Sequence, residues 1–265
     1  MNDTIKMEII IANSAKELGQ AAGHAAAALI RKAIAEKGSA NIILATGTSQ
    51  FETLNQLISE PGIDWSNVVM FHLDEYIGLP STSKASFRNY LKERFIDKIA
   101  SLKAAHLING DAINSEADAE AECSRLADLI RKHPVDVALC GIGENGHLAF
   151  NDPPADFVTG EPYIIVSLDE ACRRQQLGEG WFYTFDDVPK QAITMSINQI
   201  VRSKHIICSV PDSRKAIAVK NSLEQAISDF YPASILQLHP DCTFYLDEAS
   251  AALLSQNIIS TTTKK

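Results

Sequence analysis

Short apolar runs of strand length alternate along this chain with longer stretches of helical periodicity, and that alternation limits the fold more than any other feature. The runs fall at 7–12, 41–45, 68–73, 105–108, 135–140, 163–168, 192–195, 205–210 and 243–246. Between them, Ser14-x-x-Glu17 is a capping box that opens an Ala-rich helix ending at Gly38. Further helices are expected at 51–59 (closed by Pro61-Gly62), 86–99, 115–131 (opened by Ser115-x-x-Asp118) and 214–225. Strands separated by helices form βαβ units, so the chain should fold as one doubly wound α/β unit, a mostly parallel sheet with flanking helices. No linker or repeat divides it; one domain is expected over 1–260, with 261–265 (TTTKK) as a frayed tail.

Composition narrows the function. The 265 residues are 46% hydrophobic and 22% charged, enough for a core without disulfides and unlike collagen, coiled coil or disorder. Lys+Arg of 24 against Asp+Glu of 33 gives −9, the wrong field for non-specific nucleic-acid binding. An anionic substrate therefore needs a local positive site. Cys123, Cys140, Cys172, Cys208 and Cys242 are odd in number and widely spaced, as free thiols in a reducing compartment are, and match no zinc or disulfide pattern. Residues 1–12 do not resemble a signal peptide, and no apolar run approaches a membrane span. The expectation is a cytoplasmic protein without nucleic-acid or membrane partners.

Ligands of open α/β sheets bind beyond the carboxyl ends of the strands, and three such segments stand out. The first holds Thr46, Gly47, Thr48 and Ser49, small and hydroxylic residues that let backbone N–H groups approach an anion. It lacks the spacing and lysine of a nucleotide P-loop, and a plain turn with Thr48 or Ser49 as N-cap fits equally well. The second is His72-Leu-Asp-Glu-Tyr76, where Asp74 and Glu75 stand at the sheet's ligand edge. A partly buried carboxylate there can move protons on and off carbon; a solvated acidic turn is the alternative. The third is Gly141-Ile-Gly-Glu-Asn-Gly-His147, continuing to Asn151-Asp-Pro-Pro154. Three glycines in six residues hold His147 at the ligand edge, with Asn145 and Asp152 near enough in sequence to orient its imidazole.

Together these motifs resemble the glucosamine-6-phosphate deaminases of the glucosamine/galactosamine-6-phosphate isomerase family. Further matches are Ser86-Phe87, Thr194-Met-Ser196, Arg214-Lys-Ala216, Pro232-Ala-Ser234 and Leu238-His239, in the family's order across nearly the whole chain. The related 6-phosphogluconolactonases share the fold and a Gly-His loop but usually lack the Asp-Glu-Tyr and Gly-His-x-Ala-Phe-Asn endings.

The resemblance implies a Rossmann-like fold of sugar-phosphate isomerase type. It implies conversion of glucosamine 6-phosphate and water to fructose 6-phosphate and ammonia, with no cofactor; the His and Cys residues show no ligand spacing, so no metal is expected. His147 would open the sugar ring and Asp74 would transfer the carbon-bound proton, before the C2 imine is hydrolysed. Asp152 stands where the family usually has Glu as the histidine's partner, and Asn145 where many members have Asp. For substrate binding it points to Thr46, Gly47, Thr48, Ser49, Glu75, Lys215 and Arg173, with Arg174 adjacent. Family members occur as monomers and as hexamers activated by N-acetylglucosamine 6-phosphate, so a homo-oligomer is open. The rival readings are a galactosamine-6-phosphate isomerase/deaminase, a 6-phosphogluconolactonase, and a sugar-phosphate sensor without catalysis.

Overall fold

A computed structural model describes residues 8–259 and 263–264. The strands are β1 (Glu8–Ala12), β2 (Ala40–Leu44), β3 (Val68–His72), β4 (Asp74–Tyr76), β5 (Ala104–His106), β6 (Val137–Cys140), β7 (Tyr163–Ser167), β8 (Gln191–Met195), β9 (His205–Val210), β10 (Cys242–Asp247) and β11 (Thr263–Lys264). The helices are α1 (Ala15–Lys37), α2 (Phe51–Ser59), α3 (Phe87–Arg94), α4 (Glu116–Arg131), α5 (Glu170–Gly178), α6 (Ile197–Val201), α7 (Ala216–Glu224) and α8 (Gln256–Ile259). Met7, the expected start of the first strand, lies outside the described residues, as do positions 261, 262 and 265 of the tail. The tail's Thr263–Lys264 pairs with β1.

The central sheet is parallel throughout, in the order β11-β1-β10-β9-β6-β2-β3-β5. Strands β2, β3 and β6 are buried at every position, which is why they read as near-continuous apolar runs without alternation, with Asn41 and His72 as their buried polar residues. Apolar clusters cover both faces of the sheet. Helix α1 begins as its sequence implies, with Ser14 Oγ accepting from Glu17 N. The Glu17 carboxylate closes the box one residue early, on Asn13 N. Gly38 ends the helix at φ 78°. Gly19 and Gly23 face α2 so closely that a Cβ on either would run into Glu52 or Gln56.

Two expected strands leave this sheet. β7 and β8 pair antiparallel with each other, and β4 pairs antiparallel with β8, forming a separate sheet in the order β4-β8-β7. β7 is fully buried at Tyr163 alone, so it suits a one-sided sheet better than the middle of a two-sided one. The chain passes from β3 to β4 through the single residue Leu73, whose carbonyl accepts from Met195 N. Asp74 therefore sits where the two sheets meet. Helix α3 stops short of the expected residue 99, because Phe95 leaves helical geometry and packs edge-on against Trp65.

Candidate active site

The strand order β3-β2-β6-β9 brings four segments together at one edge. From β2 the chain crosses to β3 on one side, whereas the β6 edge continues to β9 on the other. Adjacent strands leading in opposite directions open a crevice between their carboxyl ends. Thr46, Gly47 and Ser49 after β2, Gly143 and His147 after β6, Asp74 after β3 and Lys215 after β9 all line one cavity there. Thr48 lines the adjoining cleft together with Ser49, Arg214 and Lys215.

The loop after β2 runs through Gly47 at φ 95°, a left-handed conformation that favours glycine. Neither Thr48 nor Ser49 caps the turn that follows: Gly47 holds the cap position without a side-chain bond. Tyr90 Oη donates to Gly47 O at 2.9 Å, and Gln50 Nε2 donates to Ser209 O at 3.1 Å. The loop is thus tied to α3 and β9 by its backbone and its buried glutamine.

Asp74 is 5% exposed and lies beside an aromatic group built from Tyr76, Phe87 and Phe150, with ring centroids 5.1–5.5 Å apart. Burial, reinforced by the neighbouring charge of Glu75, pushes its pKa up to about 8. A carboxylate held there can take and return a proton near neutral pH. Glu75 faces away. Its carboxylate accepts from Ser86 Oγ, Phe87 N and Arg88 N at the start of α3, and from Tyr76 N. Burial raises its pKa while those four donors oppose the rise. Expected among the substrate-binding residues, Glu75 does not line the cavity; its carboxylate is committed to a helix N-terminus.

His147 Nδ1 lies 3.0 Å from Asp152 Oδ1. Asn145 does not touch the imidazole. It accepts from His147 N at 3.0 Å and donates to Asp152 Oδ1 at 3.0 Å and Asp169 Oδ2 at 3.3 Å. Asp169 N donates to Asp152 Oδ2. Burial would raise the Asp152 pKa, but hydrogen bonds from His147, Asn145 and Asp169, with the charge of His147, hold it below the usual range. Asp152 is therefore a fixed anion behind the histidine. Gly143 packs so tightly on the other side of the ring that a Cβ would overlap the imidazole.

Arg173 stands apart. Its guanidinium donates to Val188 O and Phe185 O, stacks 4.0 Å from the Phe185 ring, and does not line the cavity. The expectation that it grips a phosphate fails for a local reason: Gln175 and Gln176 of α5, and Glu179 at its C-cap, face the cavity as one stripe, and Arg173 lies off it. Arg174 is exposed and pairs with Glu170. Lys215 is 4% exposed and lines the cavity as expected; burial lowers its pKa, opposed by the charges of Glu179 and Glu144.

Residues 13–244 match the family model described as glucosamine-6-phosphate isomerases/6-phosphogluconolactonase. The chain belongs to this family. Among the family's curated proteins it is 35% identical to a glucosamine-6-phosphate deaminase of Lactobacillus delbrueckii subsp. bulgaricus over 250 residues, 94% of this chain and all of that one. A glucosamine-6-phosphate deaminase of Exiguobacterium sp. is 36% identical over 254 residues, 95% of this chain and 94% of that one. A solved structure described as a monomeric glucosamine-6-phosphate deaminase superposes with a TM-score of 0.83 at 36% identity, covering 93% of this chain and 100% of that one.

For a glucosamine-6-phosphate isomerase/6-phosphogluconolactonase fold, the motif residues outside the cavity have mechanical work. Thr194 Oγ1 accepts from Phe150 N, and Asn151 Nδ2 donates to Met195 O, fastening the histidine loop to β8. Ala233 N donates to Gly146 O, so the Pro232-Ala-Ser234 segment supports the same loop. Sequence reasoning missed Gln175, Gln176 and Glu179, although their spacing on an Asp169-capped helix is a readable signal. It also missed that His147, Asp152 and Cys172 offer ligand atoms all within 4.8 Å of one another. Cys172 is distant in sequence from the other two and meets them because Asp169, the N-cap of α5, bonds to Asp152.

Proposed function

We propose that this chain is a glucosamine-6-phosphate deaminase, converting glucosamine 6-phosphate and water to fructose 6-phosphate and ammonia as one domain over 1–260. The observation that carries the reading is the pair of proton-transfer groups in one cavity: a buried carboxylate, Asp74, and the histidine His147 with its own anion, Asp152. In this scheme His147 delivers a proton to the ring oxygen, and the fixed negative charge of Asp152 stabilises the imidazolium form that gives it up. Asp74 then removes the proton at C2 of the open sugar and returns one at C1. Hydrolysis of the resulting C2 imine releases ammonia. Asn145 positions Asp152 and the His147 backbone and does not itself transfer protons. Each step is a proton transfer or the addition of water to the imine carbon with loss of ammonia, so neither metal nor cofactor is required.

Family membership and the likeness to named deaminases across more than nine-tenths of the chain support the same reading. Among the described residues no helix is long and apolar enough to cross a membrane, which suits a cytoplasmic sugar-phosphate enzyme. The test is ammonia release on adding glucosamine 6-phosphate to the purified chain. Release of ammonia with formation of fructose 6-phosphate is expected. Hydrolysis of 6-phosphogluconolactone without ammonia release would replace this reading with the lactonase.

A further inference from the structure

The cleft expected to take the phosphate carries an unexpected set of charges. Arg173 is bound to backbone carbonyls elsewhere, and its helix presents a carboxylate, Glu179, to the phosphate-type loop instead. A Cβ on Gly47 would stand 3.9 Å from Glu179 Oε2, so the carboxylate lies against that loop. Trp181 Nε1 donates to Glu179 Oε2 at 3.1 Å and Gln175 Nε2 to Glu179 Oε1 at 2.9 Å. Across the cleft stand two cations on one turn, Lys215 and Arg214. Among the described residues no hydrogen bond or ion pair anchors the Lys215 ammonium, although it is buried. Arg214 donates through Nε and Nη2 to Asp212 Oδ2, and its Nη1 reaches Glu144 Oε1 at 3.5 Å. That last contact is long, and its side chains are 44% and 35% exposed, so it is weak and easily exchanged.

We propose that Arg214, and not Arg173, completes the phosphate site with Lys215, and that the carboxylate of Glu179 facing them opposes the phosphate of the substrate. Arg214 has the geometry for this. Asp212 holds its Nε edge from behind, which fixes the guanidinium plane and leaves Nη1 free to leave Glu144 for a phosphate oxygen. A phosphate against Thr48 and Ser49 would otherwise meet Lys215 alone on one side and a carboxylate on the other. With Arg214 engaged and Glu179 turned aside, a dianion meets two cations and backbone N–H groups. Glu179 thus sets affinity by opposing phosphate, and Arg214 sets it by attracting it. The inference rests on the sugar-phosphate reading of the cavity.

The experiment measures inorganic phosphate binding by calorimetry and competitive inhibition of ammonia release in parallel. Arg214→Ala should weaken phosphate and raise KM by about 10-fold or more, the scale of a lost charge-assisted hydrogen bond, with kcat within about threefold. Arg214→Lys should recover part of the loss. Glu179→Gln should act in the opposite direction, tightening phosphate and lowering KM, and it remains informative if the arginine variant folds poorly. Phosphate affinity unchanged in Arg214→Ala, or weakened in Glu179→Gln, would overturn the proposal. Arg214-dependent phosphate binding by a chain that releases no ammonia would uphold it and sink the deaminase reading instead.

Discussion

His147 and Asp152 are joined through a single carboxylate oxygen, 3.0 Å from Nδ1, while the other oxygen of Asp152 is held by the backbone N–H of Asp169. The anion cannot turn away from the ring without losing a second hydrogen bond, so the imidazole's orientation is held by the fold around Asp152. Asp152→Asn keeps the shape and removes the charge. Turnover of the cyclic sugar should fall by about 10²-fold or more, measured as ammonia release. Hydrogen exchange at C2 of an open-chain analogue should be nearly unaffected, and His147→Gln should show the same split.

Asp74 carries the clearest pH signature. With its pKa near 8, the ascending limb of kcat/KM should pass through about pH 8 in the free enzyme, because the base acts ionised. Asp74→Asn should lose turnover by on the order of 10²–10⁴-fold. Its stability should move the other way. The folded pKa is raised, so the wild type is most favoured below the unfolded value and loses that advantage as pH rises toward 8. Asp74→Asn should therefore gain stability over wild type between about pH 4 and pH 8, then level off, in urea titrations read at each pH.

Glu75 contributes charge to Asp74 and bonds to α3, so Glu75→Gln separates two effects. Removing the charge should shift the kcat/KM limb to lower pH. Weakening the bonds to Ser86 Oγ and the α3 backbone should cost on the order of 1–3 kcal/mol in urea unfolding. A limb that stays in place would mean Glu75 does not act on Asp74.

Gly143→Ala tests the other wall of the histidine. The added methyl overlaps the imidazole, which must move off Asp152 to make room. Activity should fall by about 10-fold or more while the Tm changes little, since the loss is one of catalytic alignment.

Arg173→Ala should behave as a stability variant. It removes donors to Phe185 O and Val188 O and the stack on Phe185, at a cost on the order of 2–4 kcal/mol in urea unfolding. KM for the sugar phosphate should stay within about threefold of wild type.

The linear sequence determined whatever depends on local pattern. Near-continuous apolar runs fix β2, β3 and β6 as strands buried on both faces; Ser14 and Gly38 bound α1; the Gly-rich loop and the Asp-Glu pair mark the ligand edge of the sheet. Those signals recur every two to four residues, within reach of backbone geometry alone. Tertiary structure decided what depends on partners distant in the chain. The split of β4, β7 and β8 into an antiparallel sheet follows from pairing across some 120 residues, and it is what buries Asp74 and raises its pKa. The roles of Glu75 and Arg173 turned the same way. Each is a charged residue beside a motif, and its function is set by which donors or carbonyls the fold brings to it: the start of α3 for Glu75, and the carbonyls at 185 and 188 for Arg173. A charge in sequence shows only that a counter-group must exist; packing chooses which one.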